Sequence, residues 1–556
     1  AALAGATLAA AWLWEGLLPT NLLFRVLGLA PWPLTAWALW TCRSAWGAWP
    51  PWLKVSAGVI LASLLVMALT PLTARDGMAF HLAFPRRLIR EGPGAFWAGD
   101  AAFDTYYTFI PLVGHMLYLL SLAWSESTAL LWLPLGFLGT LWGLRRIGRE
   151  LDPDAPERSS GWLALACLPL SWFAAGGYLD VAATCAAAFS LVAFLRWLSG
   201  GKDAFLIASG LLAGALPALK PTGIFFPVVL MALLVFLRAE RLGDWRRRAA
   251  ACLAFGLCAL AVIVPWLLRN WNATGNPFYH LARHGGFFAG LGGPFILHDG
   301  AYALGTGLSW MAWLALPIVL LASAPWLGVL VLGARHLPKD PRLAVLWALL
   351  LPVPVIAAAS YCSVENVVRW SLPYLLPSCV LGGMAWRRLG PGWPARMAKA
   401  IVIAGLLATA AFGARRILDR GPVLLGLESR EAFLSRKIPT YPATARLNTL
   451  GAGRVLVVGA LDYHLEASFL HARDDHAFTP YARMEGIPDF LAWMPGDITH
   501  LLVERFPGGG SRTFLDWLAR DGVPDGLQLV YEDPGALVFR VPRAFPAPGP
   551  GTPPVP

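Results

Sequence analysis

The sequence predicts a polytopic α-helical membrane protein that ends in a small external α/β domain. Three observations carry that expectation. The chain is 57% hydrophobic and only 14% charged, with 27 Trp and a mean hydropathy of +0.58, and runs long enough to cross a bilayer recur along it. Its net charge of +11 is uneven: residues 1–413 hold 29 Lys/Arg against 17 Asp/Glu, a net +12, whereas residues 414–556 hold 15 against 16, a net −1. The basic excess thus belongs to the apolar part, where it orients helices and meets anionic lipid heads, and no soluble basic surface is left for nucleic acid. From residue 414 onward, short β-branched runs alternate with helical patterns. The seven Cys lie in or beside apolar segments and form no Cys-x-x-Cys pair, which argues against a metal knuckle or a disulfide-stapled domain. No cleavable signal peptide stands out at the start, and a first residue of Ala is consistent with a native start further upstream.

In chain order, about 13 spans are expected near 1–18, 26–42, 53–71, 127–147, 160–177, 181–199, 204–219, 221–237, 249–268, 307–333, 343–361, 369–386 and 397–413. The basic cluster Arg238, Arg241, Arg246, Arg247 and Arg248 marks the cytoplasmic side. Counting outward places 20 of the 29 Lys/Arg inside and nine outside. Residues 1–413 then form the transmembrane helical domain, with a first external loop at 72–126 and a second large one at 269–306. Residues 105–122 are apolar enough to cross, but a crossing would put Arg145, Arg146 and Arg149 outside, so they are expected to be re-entrant or to lie on the membrane surface. The rival count fuses the pair 204–219 and 221–237. An external α/β domain follows at 414–543, with strands expected at 454–459, 499–504, 527–532 and 536–541 and helices near 429–437, 463–471, 486–493 and 511–520. It reads equally as a lid over a site or as a structural cap. Residues 544–556, rich in Pro and Gly, are expected to be disordered.

Under this topology many ionisable groups converge on the external face. Asp76, His81, Arg86, Arg87, Arg90 and His115 lie in the first loop, and Asp180 opens a span after Gly176-Gly177-Tyr178-Leu179. Lys220 lies in an outer hairpin, Arg269 leads into Tyr279 and His280, and Glu365 and Arg369 flank a later span. Charges at membrane depth are costly, so each marks a site or pairs with another. Plainer readings stand beside these. Asp76 and Asp180 are placed to cap helices, and the loop arginines to snorkel to lipid phosphates. Glu365 and Arg369 have the i, i+4 spacing of a simple ion pair. His280 and His284 share that spacing and could hold a metal with His298 or Asp299, although no metal-ligand set is assigned.

The segment Asp76-Gly77-Met78-Ala79-Phe80-His81-Leu82, continuing to Pro85, resembles the first external loop of GT-C superfamily glycosyltransferases. The bacterial members similar to protein O-mannosyltransferases and to the aminoarabinose transferase of lipid A are nearest in pattern. Leu179-Asp180-Val181-Ala182, Leu219-Lys220-Pro221-Thr222-Gly223, Asn270 to Tyr279, Arg369-Trp370-Ser371-Leu372-Pro373, and two tail runs, Arg454 to Gly459 and Ile498 to Val503, follow in the order seen in such proteins. The resemblance covers nearly the whole chain from about residue 53. It implies inverting transfer of a sugar from a polyprenyl-phosphate donor to a lipid, protein or glycan acceptor, outside the bacterial cytoplasmic (inner) membrane, with the C-terminal domain on the external or periplasmic side. Asp76 would be the general base, and Asp180 would orient the acceptor or position Lys220. His81, Arg86, Arg87, Lys220, Arg269, Tyr279, His280, Glu365 and Arg369 would bind substrate, the cations facing the lipid phosphate. No cofactor is required by this reading, and a divalent metal stays possible. The chain departs from the pattern at Gly77, where many relatives carry a second acid. Rival readings are a transporter or flippase of a lipid-linked substrate and a non-catalytic scaffold subunit.

Overall fold

The computed structural model describes residues 28–46, 50–91, 113–153, 163–274, 276–277, 310–359, 364–459, 463–472, 484–505 and 511–542. Its principal helices are α1 (Pro31–Trp46), α2 (Pro51–Leu69), α3 (Ala83–Glu91), α4 (Val113–Leu122), α5 (Glu126–Leu151), α6 (Asp180–Leu198), α7 (Ala204–Leu219), α8 (Phe225–Phe236), α9 (Trp245–Thr274), α10 (Val364–Leu375) and α11 (Trp393–Leu424). Local chemistry sets several of their starts. Pro51 and Pro394 occupy first-turn positions, where the missing N–H costs nothing. Ser125 caps α5 by accepting from the Thr128 N–H at 3.1 Å.

Among the described residues, α2, α5, α6, α9 and α11 are each long and apolar enough to cross a membrane. A further pair, Leu316–Ser323 and Trp326–His336, meets at 103°, and Ala204–Leu219, Pro221–Phe236 and Leu343–Ile356 are shorter apolar helices. The protein is thus a multi-pass helical bundle; the expected count of about 13 spans includes stretches, such as 1–18, outside the described residues. The ten residues of α4 rise about 15 Å, half a hydrocarbon core, and residues 105–112 of the expected re-entrant stretch lie outside the description. Helices α7 and α9 touch through backbone, since a Cβ on Gly214 would sit 2.1 Å from the Ala259 carbonyl oxygen.

Helix α11 runs on to Leu424, past residue 413 where the last apolar stretch ends. Its last turns carry arginines that bind backbone: Arg416 donates to the carbonyls of Ser171 and Trp172 at 3.0 and 3.1 Å. Beyond it, β1 (Arg454–Val458), β2 (Phe469–Ala472), β3 (Ile498–Glu504), β4 (Gln528–Glu532) and β5 (Ala536–Arg540) form one sheet in the order β2-β1-β3-β5-β4. Strands β2, β1 and β3 are parallel, β5 is antiparallel to β3 and β4 to β5. Helices Arg430–Lys437, Ile487–Trp493 and Arg512–Asp521 fall where the sequence puts them. One local expectation is corrected. The helix expected at 463–471 is replaced by a turn and β2, because pairing of Val455 with Phe469 and Leu456 with Leu470 wins over local pattern. An additional helix, Tyr441–Thr449, also forms.

This sheet domain rests on the first loop. Leu72, Met78, Leu82 and Tyr118 share one apolar cluster with Phe433, Leu434, Ile438 and Tyr463. Arg86 reaches across to the Tyr463 carbonyl and lies over its ring at 4.9 Å. Arg90 donates to the Leu465 carbonyl at 2.6 Å, and His464 Nε2 donates to the Leu72 carbonyl at 3.2 Å. On the bundle side, Gly77 abuts the turn before α6. A Cβ there would sit 2.6 Å from the Gly176 carbonyl oxygen, and Gly177 makes that turn at φ +74.

Burial lowers His464 from its ordinary 6.5 to about 4, opposed by Glu126. The folded ring stays neutral where an unfolded one would be protonated, so its contribution to stability is complete above about pH 6.5 and is lost as pH falls toward 4. The detergent-solubilised protein is therefore expected to melt at lower temperature at pH 5 than at pH 7, with a shallower fall in His464→Gln; an equal fall in the variant would assign the effect elsewhere. Gly77→Ala should cost about 1–3 kcal/mol through overpacking, read as a lower melting temperature, while Gly58→Ala, with nothing within 4 Å of the new Cβ, should not.

Candidate active site

Two of the acidic residues picked out in the sequence begin helical segments, yet neither caps one. Asp76 precedes a π-helical turn, Gly77–His81, and makes no capping hydrogen bond. Asp180 is the first residue of α6, where the helix dipole favours a carboxylate, and the cap position itself is Leu179. Lys220 leaves the end of α7 in an extended conformation because Pro221 follows it, which breaks the helix. Arg369 lies in α10.

The fold brings these four together. Lys220 Nζ bonds Asp180 Oδ1. Arg369 spans both acids, with Nε 3.0 Å from Asp180 Oδ2 and Nη1 2.7 Å from Asp76 Oδ2. The set balances two negative charges with two positive ones, which is what burial requires: an uncompensated ion there would cost several kcal/mol. Aromatic faces line the cations. The Arg369 guanidinium lies 4.6 Å from the Tyr178 ring centre and 5.3 Å from that of Phe173, and Lys220 lies 5.7 Å from that of Trp370. The acids differ in access: Asp180 is 2% exposed and Asp76 28%.

A second buried layer adjoins the first. His81 Nδ1 and His115 Nε2 are 3.2 Å apart, and Arg269, itself buried, lies 5.8 Å from the Phe84 ring, which meets His115 edge-on. Burial, then His115, Arg369 and Lys220, hold the His81 ring well below its ordinary value and hence neutral.

The other expected residues are placed differently. Arg86 serves the docking of the sheet domain, as described above, and Arg87 is half-buried on α3. Glu365 stands one turn before Arg369 in α10, and its side chain lies outside the described residues, as do Tyr279 and His280. Among the described residues no three His, Cys, Asp or Glu side chains converge to hold a metal; His280, His284, His298 and Asp299 fall outside them. Tyr178, Phe173 and Trp370 were not assigned a role from sequence, although Tyr178 and Trp370 stand within the quoted runs. Such aromatics are hard to separate from the many that serve as interfacial or core Trp and Tyr.

No family model matches the chain, and no curated protein matches it in sequence. Among solved structures, ArnT from Cupriavidus metallidurans bound to undecaprenyl phosphate aligns over 88% of this chain and 98% of its own, with a TM-score of 0.56 at 16% identity. The same protein in the apo state gives 0.54 at 16% identity over the same shares. A mutant form of the arabinofuranosyltransferase AftD from Mycobacteria gives 0.50 at 15% identity over 88% of this chain. That alignment takes in 41% of the AftD chain, so this protein spans less than half its length. At these identities the likeness is one of fold: this chain shares the polytopic membrane-protein fold of ArnT.

Proposed function

We propose that this protein is an inverting glycosyltransferase that moves a sugar from a polyprenyl-phosphate donor to an acceptor on the outer face of the bacterial cytoplasmic membrane, with Asp76 as general base. One observation carries the reading: the charge-balanced set of Asp76, Asp180, Lys220 and Arg369, on a fold shared with ArnT, which has been crystallised with undecaprenyl phosphate. An acceptor hydroxyl is a weak nucleophile, so a carboxylate must take its proton as the new C–O bond forms. The bond from the anomeric carbon to the phosphate oxygen breaks, and its electron pair stays on the polyprenyl phosphate. Lys220 and Arg369 supply fixed positive charge for that leaving group. Attack opposite the departing phosphate inverts the anomeric centre. Asp180 holds both cations in place, and the donor's prenyl tail extends into lipid between helices. Packing of the sheet domain against the first loop supports reading it as external with that loop. The acceptor is lipid, protein or glycan, and no metal is assigned to the chemistry.

The test uses protein reconstituted in vesicles with radiolabelled polyprenyl-phosphate sugar and a crude envelope acceptor fraction. Wild type is expected to transfer label, and Asp76→Asn to lose at least about 100-fold in rate while still binding undecaprenyl phosphate. Equal transfer by both proteins would remove Asp76 as the base. Binding without transfer by wild type, or movement of the intact lipid across the vesicle, would overturn the transferase reading in favour of a scaffold or a flippase.

A further inference from the structure

Between the end of α2 and Asp76 lies a connector with no regular structure of its own, Thr70-Pro71-Leu72-Thr73. An unpaired stretch this deep in protein must find partners for its backbone polar groups. Here they come from three distant places. Arg420, near the end of α11 and only 5% exposed, donates through Nη1 to Thr70 Oγ1 at 3.0 Å and to the Pro71 carbonyl at 2.9 Å, and through Nη2 to Thr73 Oγ1. Glu126, at the start of α5, accepts from the Leu72 N–H at 2.6 Å. His464, in the sheet domain, donates to the Leu72 carbonyl. Pro71 has no N–H to satisfy and fixes its own φ, and Thr70 Oγ1 is further tied to the Val66 carbonyl at 2.8 Å.

We infer that Arg420 is a positioning residue for Asp76: with Glu126 and His464 it makes the connector a rigid strut, so that docking of the sheet domain sets where the carboxylate stands. Arg420 acts at a distance. Its bonds go to 70, 71 and 73, and the connector passes through Ala74 into the segment that begins with Arg75 and Asp76. The guanidinium is held in turn by the face of the Phe433 ring, 5.2 Å from its centre, in the docked domain. A plain hydrogen-bonding role would be filled by water or by one local side chain. The observed arrangement instead draws one donor from the membrane bundle's last helix, one acceptor from a helix start, and one donor from the sheet domain onto four consecutive residues. A guanidinium can serve three acceptors in this geometry and an ammonium cannot serve them in the same plane.

The strut itself can be tested without assuming any activity; its consequence for turnover rests on the transferase reading above. Hydrogen exchange is followed by mass spectrometry in the full-length protein in detergent for wild type, Arg420→Gln, Arg420→Lys and Glu126→Gln. Exchange at the amides of Leu72 to Met78 should accelerate in Arg420→Gln, rise less in Arg420→Lys, and rise at Leu72 in Glu126→Gln, while the sheet strands keep wild-type protection. If Arg420→Gln fails to fold, Arg420→Lys and Glu126→Gln carry the comparison. In the transfer assay, Arg420→Gln should lower kcat by on the order of 100-fold with the KM for donor unchanged and with undecaprenyl phosphate still bound, and Arg420→Lys should recover part of the loss. Wild-type exchange across 72–78 in the folded variants would overturn the strut. Faster exchange with unaltered kcat would overturn the link to Asp76, and absence of transfer by wild type would count against the transferase reading alone, leaving the exchange result to decide the strut.

Discussion

The Arg369 guanidinium holds the site together. Its Nε and Nη1 each engage a carboxylate, and the two carboxylates come from chain segments about 100 residues apart. A planar fork with fixed donor directions is suited to this in a way a flexible ammonium is not. Because one arm holds Asp180 at the start of α6 and the other holds Asp76 at the π-helical turn, the bridge fixes three elements against one another: α10, α6 and the first loop. Lys220 completes charge balance from a fourth. In a site mostly withdrawn from water, that balance is a condition for the fold as much as for any chemistry.

How much of this could be read from sequence follows from the same physics. Asp76, Asp180, Lys220 and Arg369 stand out because an ionisable group beside a long apolar run is expensive, and expensive groups in such a chain tend to find one another. That Asp180 would position Lys220 was among the readings, but the bridge through Arg369 was not legible: i, i+4 spacing offered Glu365 as its local mate, while the structure pairs Arg369 with Asp76 and Asp180. Arg86 looked like a phosphate ligand for the same reason the others did. Its target is the Tyr463 carbonyl, in a domain nearly four hundred residues later, and no local pattern announces that. Strand β2 was hidden for a related reason: four residues with little strand character of their own become a strand because β1 offers an open edge. The sheet's other strands, carried by longer β-branched runs, were legible, and so were its helices where they are amphipathic.

The departure at Gly77 also acquires a cause. In sequence, Gly77 reads as a departure from the pattern the chain resembles, one that weakens a metal assignment. In the structure, Gly77 meets the turn at Gly176 and Gly177 so closely that a Cβ at 77 would strike the Gly176 carbonyl oxygen. A larger side chain would force that backbone apart. The close approach draws the turn preceding Asp180 against the turn following Asp76, and it therefore helps bring the two acids within reach of one guanidinium. Position 77 is used here for contact between the two loops.

The two acids are then not interchangeable. Both oxygens of Asp180 are taken, Oδ1 by Lys220 and Oδ2 by Arg369, and the residue is all but sealed from solvent. A carboxylate bonded to a cation at each oxygen and sealed from solvent has its charge stabilised twice over, which suits it to holding cations and unsuits it to accepting a proton. Asp76 gives Arg369 only Oδ2, keeps Oδ1 without a hydrogen bond among the described residues, and is more than a quarter exposed. Of the pair, it alone has an oxygen open to a further partner, as the proposed base requires. What fixes that oxygen in space is the segment leading into it, and that segment is gripped from the bundle and from the sheet domain together, so the most accessible group of the site is also the one whose position depends on the most distant parts of the chain.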